Sequence, residues 1–157
     1  SRSAHADSVR TVDTLGVMLL EDDVVDAVAA YLTGRGWAIL QALRSSERGD
    51  DIIAERTGEK LIVEAKGETS TRESTARYGK AFDSGQVRSH VGQAVLRALR
   101  FVADGDRAGV AFPDERLHRR EVAKIQKALR LLDVAVFWVG PDLTVTLDAP
   151  TTFLDGS

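Results

Sequence analysis

A mixed-sheet α/β domain is the fold class that the sequence predicts, and three observations carry it. Helical and strand-like patterns follow one another in the order helix, three strands, helix, strand, with a further helix and strands behind them. Two of the strand-like runs are separated by a turn so short that they must pair as an antiparallel hairpin. The 157 residues, 43% hydrophobic and 29% charged, have the composition of one globular domain able to bury a real core. Residues 17–150 are read as that domain, residues 1–16 as a flexible N-terminal segment and residues 151–157 as a tail.

The elements can be justified in order. From Met18 to Thr33 the apolar residues Leu20, Val24, Val28 and Leu32 recur at helical spacing, and Gly34 and Gly36 then supply a stop. Trp37 to Leu43 has strand composition, a polar turn follows, and Asp51 to Arg56 makes a second short strand. Thr57 and Gly58 mark a tight turn before a third strand, Lys60 to Lys66. Residues 67–85 lack periodicity and read as a long loop. Val87, Val91, Ala94, Val95, Ala98 and Val102 form the apolar stripe of a second helix, and Arg107 to Phe112 reads as a strand. A helix from Glu115 to Leu132, a strand from Val134 to Val139 and a short strand around Thr144 to Leu147 complete the chain.

Composition narrows the function classes. With no cysteine, thiolate catalysis and cysteine-ligated metal centres are excluded. No apolar run reaches the roughly 18 to 20 residues of a membrane span and the N-terminus has no hydrophobic signal core, so a cytoplasmic protein without a membrane partner is expected. A formal net charge of −3 argues against binding nucleic acid through bulk electrostatics. Any such contact must be local, and the segment from Glu115 to Arg130, rich in Arg and Lys, is either a basic surface or a solvated helix face.

The hairpin carries the chemistry. A symmetric turn at Thr57 and Gly58 puts Arg56 opposite Glu59, Ile52 opposite Val63 and Asp51 opposite Glu64. Directly opposed side chains lie about 4.5 to 5.5 Å apart at Cβ, and like charges there repel. Such a pair suits Mg²⁺, which prefers hard oxygen ligands and keeps several waters. Lys66 projects from the same face as Glu64, roughly 7 Å along the strand. In this register Asp50 points to the other face, whereas a pairing shifted by one residue would exchange it for Asp51.

The segment GDDIIAERTGEKLIVEAKG resembles the PD-(D/E)XK nuclease superfamily, which includes restriction endonucleases and archaeal Holliday junction resolvases. Asp51 matches the first acidic residue of the motif, Glu64 the second and Lys66 the lysine; the proline is absent, with Asp50 in its place. The resemblance extends more loosely from Met18 to Phe112 and implies a restriction-endonuclease-like core, a mixed central sheet flanked by helices, with the C-terminal helix and strands added. It further implies DNA as substrate and catalysis by Asp51, Glu64 and Lys66. Mg²⁺, or Mn²⁺ in its place, would be held by Asp51, Glu64 and the Ala65 backbone carbonyl. An acidic residue from the first helix often joins such sites, and Glu21 is the choice here, against the alternative of an acidic first turn complementing the helix dipole.

Further contacts are expected from the second helix, where Gln86, His90, Gln93, Arg97 and Arg100 form one polar stripe. Some superfamily members carry a glutamine on this helix near the metal. The stripe therefore faces either the phosphate backbone or solvent. In the loop, Arg72, Arg77 and Lys80 are residue types suited to phosphate contact. A DNA endonuclease is the function so implied; the alternative is an inactive nuclease-like module that binds nucleic acid or a partner protein. Specificity would come from a homodimer, a partner subunit or an additional domain.

Overall fold

The computed structural model describes residues 18–44, 47, 49–68 and 82–150. The expected N-terminal segment and tail lie outside these residues, as do Arg72, Arg77 and Lys80. The elements are α1 (Glu21–Thr33), β1 (Ala38–Ala42), β2 (Ile52–Arg56), β3 (Glu59–Ala65), α2 (Ser84–Ala103), β4 (Arg107–Pro113), α3 (Arg116–Ala123), α4 (Gln126–Leu131), β5 (Ala135–Val139) and β6 (Val145–Asp148). The strands form one six-stranded sheet in the order β1-β2-β3-β4-β5-β6. It is mixed: β3, β4 and β5 are parallel, while β1, β2 and β6 pair antiparallel with their neighbours. This is the α/β class with flanking helices that the element order implied.

Alternation along the strands sends side chains to two separate cores. On one face α1 packs Val24, Val25, Val28 and Leu32 against Ile52, Leu61, Val63, Ala65 and Phe137. On the other, Val87, Val91, Ala94 and Ala98 of α2, Val122 of α3 and Leu129 of α4 cover Val110, Phe112, Val136 and Trp138. Every side chain named here is buried. Glu64 alternates with Val63 and Ala65, so it projects to the α2 side of the sheet.

The β2–β3 register is the one expected from Arg56 opposite Glu59 to Ile52 opposite Val63, but the ladder ends there, short of the expected Asp51–Glu64 pair. Its turn residues both have positive φ, 49° at Thr57 and 83° at Gly58, the backbone a two-residue hairpin demands.

Three boundaries differ from expectation. α1 starts three residues late because Leu19 is committed elsewhere: its amide donates to the Glu68 carboxylate at 2.8 Å and its carbonyl accepts from Glu68 N–H. The expected long helix from Glu115 to Leu132 is two helices, with Ile125 at φ −125° and ψ 7° between them. Neither Gly nor Pro marks that break; tight bonds from Lys124 to Glu121 and from Ile125 to Val122 form a closed turn instead. β1 carries an irregularity between Ile39 and Gln41 that the strand pattern did not signal. Among the described residues no helix is long and apolar enough to cross a membrane.

Candidate active site

Three devices bring acidic side chains to one end of the hairpin. The β2–β3 pairing carries Asp51 to the end of the ladder, where its carboxylate accepts from the Ala65 backbone N–H at 2.7 Å. Strand alternation turns Glu64 toward α2. Gly67 then allows the start of α1 to close on the exit of β3: a Cβ there would lie 2.5 Å from the Glu21 nitrogen and 2.8 Å from the Leu20 carbonyl carbon. Only glycine permits so close an approach, and through it Glu21 joins the cluster.

The electrostatics register the crowding. Burial, and after it the charge of Asp51, pushes the Glu64 carboxyl up to about 7. Glu21 rises to about 7 as well, first through burial and then through Asp51, with Glu64 adding to the effect and Lys66 opposing it. Asp51 is raised by burial, while the Ala65 amide and the Lys66 charge pull it down. Glu21, Asp51, Glu64 and Lys66 therefore share one electrostatic site.

α2 completes it. Arg97 reaches both β3 and the segment before β2, with its Nε 3.2 Å from Glu64 Oε1 and its terminal nitrogen 2.9 Å from Asp50 Oδ1. Gln93 Oε1 accepts from Lys66 Nζ at 3.4 Å. His90 stands edge-on to Phe82, ring centroids 4.5 Å apart, and burial aided by the Lys66 charge lowers its pKa. Gln86 serves the helix itself. With Asp83 it forms the capping box of α2, its side chain accepting from the Asp83 amide at 2.9 Å. Beyond Arg97, a cleft of about 220 Å³ is lined by Asp50, Arg97, Arg100, Phe101 and Asp104.

One orientation is corrected. Asp50, expected on the opposite face, meets Arg97 on the α2 side. The reason is that the ladder ends at Ile52, so strand alternation no longer governs Asp50. Its backbone carbonyl accepts from Gln41 Nε2 at 2.8 Å, and its carboxylate is held by Arg97 at 2.9 Å. Two further site features, the close approach at Gly67 and the bridging position of Arg97, are not anticipated by the sequence pattern. The glycine directly after the EAK triplet is the available signal for the first; nothing local signals the second.

The donor set matches a divalent cation in chemistry. Asp51, Glu64 and Glu21 offer carboxylate oxygens, the hard ligands Mg²⁺ prefers, and the Glu64 Oε1 atom is buried without a hydrogen-bond partner. Among the described residues no three acidic or imidazole groups are gathered tightly enough to hold an ion as they stand. Asp51 is turned onto the Ala65 amide, and Arg97 stands against Glu64.

In the basic segment, three cations are taken up locally. Arg119 pairs with Asp114 at 2.7 Å and lies over the Trp138 ring, Lys124 pairs with Glu121, and Arg130 pairs with Asp148. That is the solvated-face alternative for these three residues.

No family model and no curated protein matches the chain. Among solved structures the chain is similar to Pyrococcus furiosus SfsA in complex with Ca²⁺, with a TM-score of 0.40 and 18% identity over 73% of this chain and 52% of that one. The chain thus spans about half the length of that protein.

Proposed function

We propose that the protein is a metal-dependent endonuclease that hydrolyses phosphodiester bonds of DNA. One observation carries the reading: Glu21 at the start of α1, Asp51 just before β2 and Glu64 on β3 are all raised by burial, and the charge of Asp51 raises Glu21 and Glu64 further, with Lys66 opposing the rise in each. A fold gains nothing from gathering like charges in a buried place, since each raises the cost of ionising the others. A bound cation would offset that cost. The match of Asp51, Glu64 and Lys66 to the PD-(D/E)XK pattern supports the same conclusion.

Asp51 and Glu64 would hold Mg²⁺ or Mn²⁺, with Glu21 and the Ala65 carbonyl as further ligands. The ion supplies charge stabilisation at the phosphate and a lowered pKa for the attacking water. Lys66, which donates to Gln93 at 3.4 Å, would position the attacking water and favour its deprotonated form. Burial, and after it the Lys66 charge, lowers the pKa of His90 and favours its neutral form. DNA is the proposed partner, with sequence or structure specificity supplied by a homodimer, another subunit or another domain.

The test is incubation of the purified protein with plasmid and linear DNA in Mg²⁺, Mn²⁺ or EDTA. Cleavage should require metal, and Asp51→Asn, Glu64→Gln and Lys66→Ala should each reduce it about a hundredfold or more without unfolding the domain. Unchanged cleavage in any of the three variants refutes the assignment. Binding without cleavage in either metal assigns the chain instead to the inactive nuclease-like modules.

A further inference from the structure

We propose that Arg97 is an exchangeable counter-ion, which neutralises Glu64 in the absence of a divalent cation and must withdraw from it before that cation can bind. The inference rests on the metal-binding reading of Glu64 given above and adds a gate to it.

Three features of the geometry point this way. First, the contact is an ion pair without hydrogen-bond alignment: Arg97 Nε and Glu64 Oε1 approach to 3.2 Å, yet neither atom has a hydrogen-bond partner. An arginine meant to hold a carboxylate permanently would present its planar fork to both oxygens. Secondly, the partners differ in access. The Glu64 side chain is 8% exposed and fixed to the strand, whereas the Arg97 side chain is 41% exposed, with only its Nε buried against the carboxylate. Thirdly, withdrawal does not strand the guanidinium. It keeps its well-formed 2.9 Å contact with Asp50, and the cleft lined by Asp50, Arg100, Phe101 and Asp104 adjoins it.

Charge supplies the driving force. The Arg97 guanidinium, shared with Asp50, and the Lys66 ammonium together do not balance Asp50, Glu21, Asp51 and Glu64 when all are ionised, while a divalent cation adds two charges and accepts several oxygen ligands at once. Exchange is therefore favoured once metal is abundant, but the lost Arg97–Glu64 attraction is subtracted from the metal's affinity. Because Arg97 and the metal compete for Glu64, weakening Arg97 there strengthens metal binding, by at most the factor by which the ion pair is weakened.

The experiment is calorimetric titration of Mn²⁺ into the wild-type protein, Arg97→Gln and Arg97→Lys without nucleic acid, alongside Glu64→Gln. Arg97→Gln should bind Mn²⁺ about tenfold more tightly than wild type. Arg97→Lys, which keeps the charge but loses the reach to both carboxylates, should fall between them. In a metal-free buffer Arg97→Gln should melt below wild type, and Mn²⁺ should raise its melting temperature by more. Should Arg97→Gln fail to fold, Arg97→Lys decides: tighter binding than wild type supports the exchange, and equal or weaker binding overturns it. Equal or weaker Mn²⁺ binding by a folded Arg97→Gln overturns the counter-ion proposal while leaving the nuclease reading intact, provided wild type binds the ion and Glu64→Gln does not. No Mn²⁺ binding by any of the proteins overturns both.

Discussion

At the scale of single residues, the site depends on one glycine as much as on its charged groups. Gly67 sits where a Cβ would lie 2.5 Å from the Glu21 nitrogen, 2.8 Å from the Leu20 carbonyl carbon and 3.0 Å from the Leu19 oxygen. All three are backbone atoms, so no rotamer change relieves the clash. Gly67→Ala should destabilise the domain by about 1 to 3 kcal/mol, the range for overpacking a close-packed site. Chemical denaturation measures it, and a midpoint equal to wild type would show that α1 is not seated on Gly67. Where α1 shifts but the fold survives, Glu21 leaves the carboxylate cluster. The same scale separates Gln86 from Gln93. Both lie on the polar stripe, but Gln86 closes the capping box and Gln93 touches Lys66.

At the scale of elements, the hairpin determines which carboxylates can meet, and its turn determines the hairpin. Thr57 holds φ 49°, a left-handed conformation that costs a β-branched residue roughly 1 to 2 kcal/mol. Its hydroxyl donates to the neighbouring Arg56 carbonyl at 2.8 Å. Thr57→Asn, which converts the turn to Asn-Gly, should therefore raise stability by about 1 kcal/mol without altering the site. A melting temperature that stays level or falls would show the threonine backbone to be unstrained. α2 is the second element that matters. Its N-terminal box anchors one end, and from there the helix carries Gln93 to Lys66 and Arg97 to Glu64.

For the molecule as a whole, the cluster makes stability depend on pH in an unusual direction. Glu64 has its carboxyl raised to about 7 from an unfolded value of 4.5, so between those values the folded state binds more protons than the unfolded state. Its contribution is thus greatest at low pH and is lost as pH rises through 7. His90 and His118, both lowered by burial, act oppositely below pH 6.5, so the informative quantity is a difference. In metal-free buffer, the stability of Glu64→Gln relative to wild type should increase by about 1 to 3 kcal/mol between pH 5 and pH 7.5. A gap that stays constant across this range contradicts the raised carboxyl. Divalent metal should narrow the trend in the wild type, because binding requires the deprotonated ligands.

Legibility followed the range of the interactions. The α/β class and the hairpin register from Arg56–Glu59 to Ile52–Val63 were readable because strand period and turn length are local properties of the chain. The start of α1 was not, because it is set by Leu19 bonding to Glu68 across the fold. The orientation of Asp50 was not either, because alternation ends with the ladder and its carboxylate is held by Arg97, 47 positions away. The sequence by itself determined which carboxylates and which lysine share the hairpin. Only the tertiary structure decided that Glu21 and Arg97 come to meet them, since those contacts join residues tens of positions apart through packing on two different helices.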